Sequence, residues 1–244
     1  MRILGVIPAR YGSSRFPGKP LIDLKGKTMI QRVVEGAKRS QLLTDVVVAT
    51  DDERIAAEVS RFGGKVMMTA ENHQTGTDRC AEVLRSWQEP VDVVINIQGD
   101  EPLVDPRQLD ALLHAFTTPE VQIGTLATRT ITLDDLQNPN RIKLVVSDSG
   151  KALYFSRSAI PNFENAKSEP LSAYPYLRHI GLYAYRAEVL EALSRLLPTQ
   201  LEKVESLEQL RWLYHGYSIQ VVETEIETPN IDAPEDVAKV LALL

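Results

Sequence analysis

The sequence predicts an α/β protein built on a mostly parallel, doubly wound sheet. Three observations carry that expectation. Short apolar runs such as Val46-Val47-Val48-Ala49 and Val93-Val94-Ile95 are continuous rather than alternating, as strands covered on both faces are. Other segments carry apolar residues at i, i+3, i+4 and i+7, the spacing of a one-faced helix. The two patterns then succeed one another along the chain, the order that yields a parallel sheet with crossover helices.

Taken in order, residues 1–8 are an apolar run that reads as a buried first strand. The run is too short for a secretory core followed by a cleavage site. Four helices match the full apolar template: Ile30/Val33/Val34/Ala37, Cys80/Val83/Leu84/Trp87, Leu109/Leu112/Leu113/Phe116 and Val237/Val240/Leu241/Leu244. Further helices are expected near 52–62, 187–197 and 202–215, and a strand over 91–97. Residues 119–185 break the rhythm, with strand-like pieces at 121–130, 142–146 and 180–185. The polar stretch 162–176, with Pro170 and Pro175, reads as an exposed loop. The expectation is a single domain over residues 1–244, with an inserted subdomain over about 119–200.

Composition narrows the function. The 244 residues carry 27 Lys and Arg against 33 Asp and Glu, a net charge of −6. General nucleic-acid binding needs the opposite surplus. No stretch approaches the roughly 20 apolar residues of a membrane span. The one cysteine excludes an intrachain disulfide and a cysteine metal cluster, which fits a reducing, cytoplasmic setting. Cys80 also fits an apolar helical stripe, so it reads as a buried thiol rather than a nucleophile.

In doubly wound sheets ligands bind beyond the carboxyl ends of the strands. Residues 9–21 follow the first strand and hold Arg10, Arg15 and Lys19 with no acid among them. Gly12, Ser13 and Ser14 let backbone N–H groups approach an anion. Arginines can fork onto phosphate oxygens, and a lysine acts as a mobile point charge. The segment suits a triphosphate, although a solvated turn would also carry such charges. It is not a Walker A loop: five residues separate Gly12 from Gly18, and Pro20 replaces the metal-binding hydroxyl. No dinucleotide fingerprint follows any strand.

Three more constellations stand out. Asn96-Ile97-Gln98-Gly99-Asp100-Glu101-Pro102 closes a strand, which puts Asp100 at its carboxyl end. A hard cation such as Mg²⁺ takes one or two carboxylates plus substrate phosphates. Asn230-Ile231-Asp232 offers a second carboxylate, and Asp232 or Asp236 equally suits a helix cap. Thr75 or Thr77 can cap the helix that follows, whose N-terminus can face an anion, and Arg79 points to a ligand or to solvent. In the alternating run 178–186, His179 and Tyr183 share a face. Arg157, Glu205 and Gln209 are polar groups in nearby elements.

Residues 9–21, 75–79, 98–102, 179–186, 205–211 and 230–236 together resemble, in order and over essentially the whole chain, the 3-deoxy-manno-octulosonate (Kdo) cytidylyltransferases. The sister CMP-sialate synthetases differ where this chain has Gly18-Lys19-Pro20-Leu21. The resemblance implies a Rossmann-like fold of the nucleotide-diphospho-sugar transferase type, joined as a homodimer through the inserted region. It implies transfer of CMP from CTP to Kdo for lipopolysaccharide synthesis. Arg10, Ser13, Arg15 and Lys19 would then hold the triphosphate, with Lys19, Arg10 and Asp100 catalytic. Thr75, Thr77, Arg79 and Gln98 would lie around the cytidine, and Asp100 and Asp232 would carry Mg²⁺. Arg157, His179, Tyr183, Glu205 and Gln209 would face the sugar acid. The resemblance barely separates Kdo from 8-amino-Kdo, and no residue stands out as a general base.

Overall fold

A computed structural model describes residues 1–12, 16–163 and 169–244. The chain runs β1 (Ile3–Ala9), α1 (Met29–Ala37), β2 (Asp45–Thr50), α2 (Glu53–Arg61), β3 (Lys65–Met68), α3 (Gly76–Ser86), β4 (Val93–Asn96) and α4 (Pro106–His114). It continues with β5 (Ile123–Thr128), α5 (Leu133–Gln137), β6 (Lys143–Val146), β7 (Ala152–Ser156), α6 (Pro170–Ala173) and β8 (Leu177–Arg186). It ends with α7 (Ala187–Leu193), α8 (Gln200–Glu205), α9 (Gln209–Tyr214), β9 (Ile219–Glu223) and α10 (Asp236–Leu243). The chain divides into two compact units, one of Met1–Asp110, Ala184–Ser194 and Glu227–Leu244, the other of Ala111–Tyr183 and Arg195–Ile226.

In the first unit the strands lie in the order β3-β2-β1-β4, and every pairing is parallel. Strands β1, β2 and β4 are buried almost throughout, which is why their sequences are continuous apolar runs. From β1 the chain winds outward to β2 and β3, then returns to place β4 on the other side of β1. That reversal opens a crevice at the carboxyl ends of β1 and β4, where such sheets take their ligands.

The helices follow their sequence patterns. Ile30, Val33, Val34 and Ala37 of α1 are all buried, and Thr28 caps the helix by accepting the Gln31 N–H. Asp52 caps α2. Thr75 caps α3 in a capping box with Asp78. Cys80 and Val83 of α3 are buried, while Leu84 and Trp87 further along the stripe are only partly so. A separate cluster of Leu24, Met29, Ile231 and Val240 is fully buried, with Phe16, Ile22, Leu103, Val237 and Leu241 packed around it. Burying one such side chain stabilises by roughly 1.5–3 kcal/mol. Here that burial fastens Ile231, and with it the flanking Asp232, against the segment that follows β1.

In the second unit β5 pairs with β9 in parallel, and β6 pairs antiparallel with both β7 and β8. The helix expected over 202–215 is two helices. Ser206 takes a left-handed conformation, φ 52°, and the Leu207 N–H closes back onto the Glu202 carbonyl, so α8 ends before α9 begins. The helix expected to reach 197 stops at Leu193. The stretch 162–176 is not wholly an exposed loop: α6 lies within it and Tyr176 is buried, and residues 164–168 fall outside the described ones. Among the described residues no helix is long and apolar enough to cross a membrane.

Candidate active site

The loop after β1 is fixed at its far end. The Gly18 N–H donates to the Tyr11 carbonyl at 2.8 Å, and Gly18 sits at φ 72°, a conformation that favours glycine. The Arg54 guanidinium stacks on the Tyr11 ring, 3.3 Å from its centroid. A single helical turn, residues 19–21, then opens with Lys19. Arg10, at the near end, is exposed and donates to the His73 carbonyl. Ser13 and Arg15 lie outside the described residues.

The turn after β4 meets this loop. Ile97 still donates to the Val6 carbonyl, continuing the β1 pairing for one residue beyond the strand. Gly99 then passes so close to the end of β1 that a Cβ there would sit 2.6 Å from the Pro8 carbonyl oxygen. Only glycine fits that crossing, and it delivers Asp100 to the crevice.

Lys19, Asp100 and Asp232 converge there. Lys19 Nζ lies 2.7 Å from the Asp100 carboxylate and 3.8 Å from that of Asp232. It also donates to the Ile231 carbonyl at 3.0 Å. The Lys19 side chain is only 15% exposed, against 25% for Asp100 and 39% for Asp232, so the cation is the most enclosed of the three. Neither acid caps α10: its N-cap residue is Glu235, with no side-chain cap bond, and the Asp236 carboxylate reaches back to accept the backbone N–H groups of Asp232 and Ala233. The Asp232 carboxylate instead takes the Asn230 amide at 2.9 Å and faces Lys19.

Among the described residues no cluster of three or more His, Cys, Asp or Glu is arranged to hold a metal. Two partly exposed carboxylates are nonetheless what a phosphate-bound hard cation requires, since water and phosphate oxygens complete its shell. The chemistry of this donor set therefore fits Mg²⁺ carried on a triphosphate and not an all-protein cage.

Two neighbours escaped the sequence reading. Glu101 follows Asp100, and its carboxylate accepts the Thr228 hydroxyl at 3.0 Å. Burial, and then the Asp100 charge, push the Glu101 carboxyl up to about 7 against the opposing pull of that bond. No local pattern marks the pair, because 127 positions separate the two residues.

The N-terminus of α3 lies at the same edge. A Cβ on Gly76 would approach the Asn96 amide nitrogen to 3.2 Å and the Pro8 ring to 3.5 Å. Thr75, however, uses its hydroxyl within the capping box, and Thr77 is buried. Arg79 points neither to a ligand nor to solvent. It is fully buried, paired with Asp51 at 2.6 Å and bonded to Thr69. Asp51 follows β2 and Thr69 follows β3, so Arg79 ties α3 to two strand ends. Removing one partner of such a buried pair typically costs about 3–5 kcal/mol. Gln98 lies on the Gly99 turn, partly exposed.

The second unit assembles the remaining residues. The rings of His179 and Tyr183 are 5.3 Å apart, as their shared strand face requires. Phe155 packs edge-on against His179, and Trp212 against Tyr183. His179 Nε2 lies 2.9 Å from the Thr125 hydroxyl. Gln209 is buried at the start of α9. Arg157 and Glu205 are committed to each other's backbone. The Glu205 carboxylate accepts the Ser156 hydroxyl and the Arg157 N–H, at 2.7 and 2.9 Å. The Arg157 guanidinium donates to the carbonyls of Pro139, Glu205 and Ser206. These two residues clamp the end of β7 to the end of α8.

Enclosure of the His179 ring, and then the Arg178 charge, pull its pKa down to about 3. In the unfolded chain it returns to roughly 6.5, so the unfolded state takes the proton first as pH falls. Its contribution is therefore complete above pH ~6.5 and is lost toward pH 3, at up to about 1.4 kcal/mol per pH unit. The urea midpoint of wild type is expected to drop between pH 7 and pH 4.5 by more than that of His179→Gln. Equal drops in the two proteins would remove His179 as the cause.

Comparison with known proteins extends these observations. Residues 4–223 match the cytidylyltransferase family. The 3-deoxy-manno-octulosonate cytidylyltransferase of Bacteroides thetaiotaomicron is 52% identical, covering 97% of this chain and 95% of its own. That of Cytophaga hutchinsonii is 48% identical, covering 98% and 96%. A solved structure of CMP:2-keto-3-deoxy-manno-octonic acid synthetase in complex with CTP superposes with a TM-score of 0.92 at 44% identity, over 100% of this chain and 98% of that one. A 4-diphosphocytidyl-2C-methyl-D-erythritol synthase from Anaerococcus prevotii, 14% identical with a TM-score of 0.65, shares the fold. With identity of this order sustained from end to end, the chain belongs to the 3-deoxy-manno-octulosonate cytidylyltransferase family of nucleotidyltransferases.

Proposed function

We propose that this chain transfers the cytidylyl group of CTP to the anomeric hydroxyl of Kdo, releasing diphosphate, for lipopolysaccharide synthesis in the cytoplasm. The observation that carries the reading is the convergence of Lys19, Asp100 and Asp232 at the crevice beside β1. The CTP complex of the 44% identical structure supports CTP as the donor, and the names of the full-length relatives support Kdo as the acceptor.

The reaction forms a bond from the sugar oxygen to the α-phosphorus and breaks the bond to diphosphate. Little covalent work falls to the protein, so positioning and charge neutralisation supply most of the acceleration. Arg10 and Lys19, with Ser13 and Arg15, grip the triphosphate. Lys19 offsets charge as it builds on the departing oxygens. Gln98 and the start of α3 border the cytidine, and Arg79 acts from behind by fixing α3. Asp100 and Asp232 hold Mg²⁺, which when bound withdraws charge from the phosphates. His179, Tyr183 and Gln209 face the sugar acid, with Arg157 and Glu205 positioning them. A homodimer is the working assembly.

Diphosphate release from CTP and Mg²⁺ tests the reading against a panel of 2-keto sugar acids. Kdo is expected to turn over, and 8-amino-Kdo serves as the close competitor. Robust turnover with sialate and none with either of the other two would overturn the proposal. Light scattering of the purified chain checks the dimer.

A further inference from the structure

Asp100 and Asp232 reach one site from opposite ends of the sequence, so something must set the distance between them. The Asp232 side has no regular element of its own, because it lies between the end of β9 and the start of α10. Two links span the gap. The Ile231 N–H donates to the Asp100 carbonyl at 2.9 Å. The Thr228 hydroxyl donates to the Glu101 carboxylate at 3.0 Å and lies 3.4 Å from the side-chain oxygen of Gln108, a buried residue of α4. The first link is backbone and belongs to any sequence that follows this path. The second depends on two side chains, one adjacent to Asp100 and the other four positions before Asp232.

We propose that Thr228 and Glu101 are positioning residues, a side-chain clasp that holds the Asp232 segment in register with Asp100 so that both carboxylates can serve one divalent cation. The inference rests on the metal reading above. Neither residue would be a ligand to the cation; their role would be to hold its ligands. The clasp fixes where the second carboxylate stands, and outer partners of this kind are worth about 10- to 100-fold in metal affinity or activity.

Mn²⁺ is the probe, titrated by electron paramagnetic resonance into the full chain with CTP present and sugar absent. Thr228→Val keeps the side-chain shape and removes the donor. It is expected to weaken Mn²⁺ binding about tenfold and to raise by a similar factor the Mg²⁺ needed for half-maximal turnover, with the melting temperature nearly unchanged. Thr228→Ser restores both. Glu101→Ala matches Thr228→Val, and the double variant loses no more than either single one, as coupled partners do. Wild-type Mn²⁺ affinity in Thr228→Val overturns the clasp, and so does equal weakening in the Val and Ser variants. Asp100→Asn and Asp232→Asn separate the two failures. If they weaken Mn²⁺ binding and Thr228→Val does not, the clasp alone is wrong; if they also leave it unchanged, the metal reading fails and the clasp falls with it.

Discussion

Replacing Lys19 with alanine is expected to lower kcat at saturating CTP and Kdo by roughly 10²–10³-fold, while the KM for the sugar changes little. The magnitude follows from preorganisation. Lys19 opens a helical turn fixed by Gly18 and by the contact of that glycine with Tyr11, and its Nζ is anchored by the Ile231 carbonyl. A charge held in place before the reaction costs no reorganisation when the transition state forms. Lys19→Arg keeps the charge but offers a wider, planar head in a place that is only 15% exposed, so it recovers the rate in part. Steady-state kinetics with each substrate varied separately distinguishes the effects. A wild-type kcat in Lys19→Ala would remove Lys19 from the phosphate site.

The second large effect concerns the carboxylates. Asp100→Asn and Asp232→Asn keep the side-chain shape and remove one negative charge each, so folding survives and turnover falls steeply. The double variant is expected to lose less than the product of the two single losses, because residues acting on one ion behave as a unit. A Mg²⁺ titration of turnover for wild type and both single variants is the measurement. Normal kcat and normal Mg²⁺ dependence in Asp232→Asn would leave Asp100 as the only ligand from the protein. Asp232 would then be a turn residue paired with Asn230.

Much of the fold was legible because it depends on local pattern. Continuous apolar runs gave β1, β2 and β4, and the i, i+3, i+4, i+7 stripes gave α1 and α4 with their buried faces, and α3 with only the first half of its stripe buried. Lys19 and Asp100 were legible for a similar reason, since both follow strands whose ends define the crevice. Arg79 was misjudged, although a signal existed: it stands four residues before Val83 and next to Cys80, on the buried stripe of α3. Periodicity alone argued that its charge turns inward toward a partner. The broken helix over 200–214 turns on one left-handed serine, which residue type does not announce. Thr228 and Glu101 were out of reach, because they meet only through the path of a segment without periodicity.

The enclosed position of Lys19 bears on the order in which ligands arrive. An ammonium seated 2.7 Å from Asp100 is a tethered counterion, permanently present at a high effective concentration. Any free divalent cation seeking that carboxylate must compete with it, which discounts the affinity for bare metal. A cation delivered on a triphosphate changes the terms of that competition, because it brings anionic oxygens to which the displaced ammonium can turn. Under the proposed metal reading the same lysine, still held by the Ile231 carbonyl, would turn from the acids toward the phosphates. The enzyme is then expected to respond to the metal–nucleotide complex as a single ligand, with free Mg²⁺ well in excess of CTP adding little further activation.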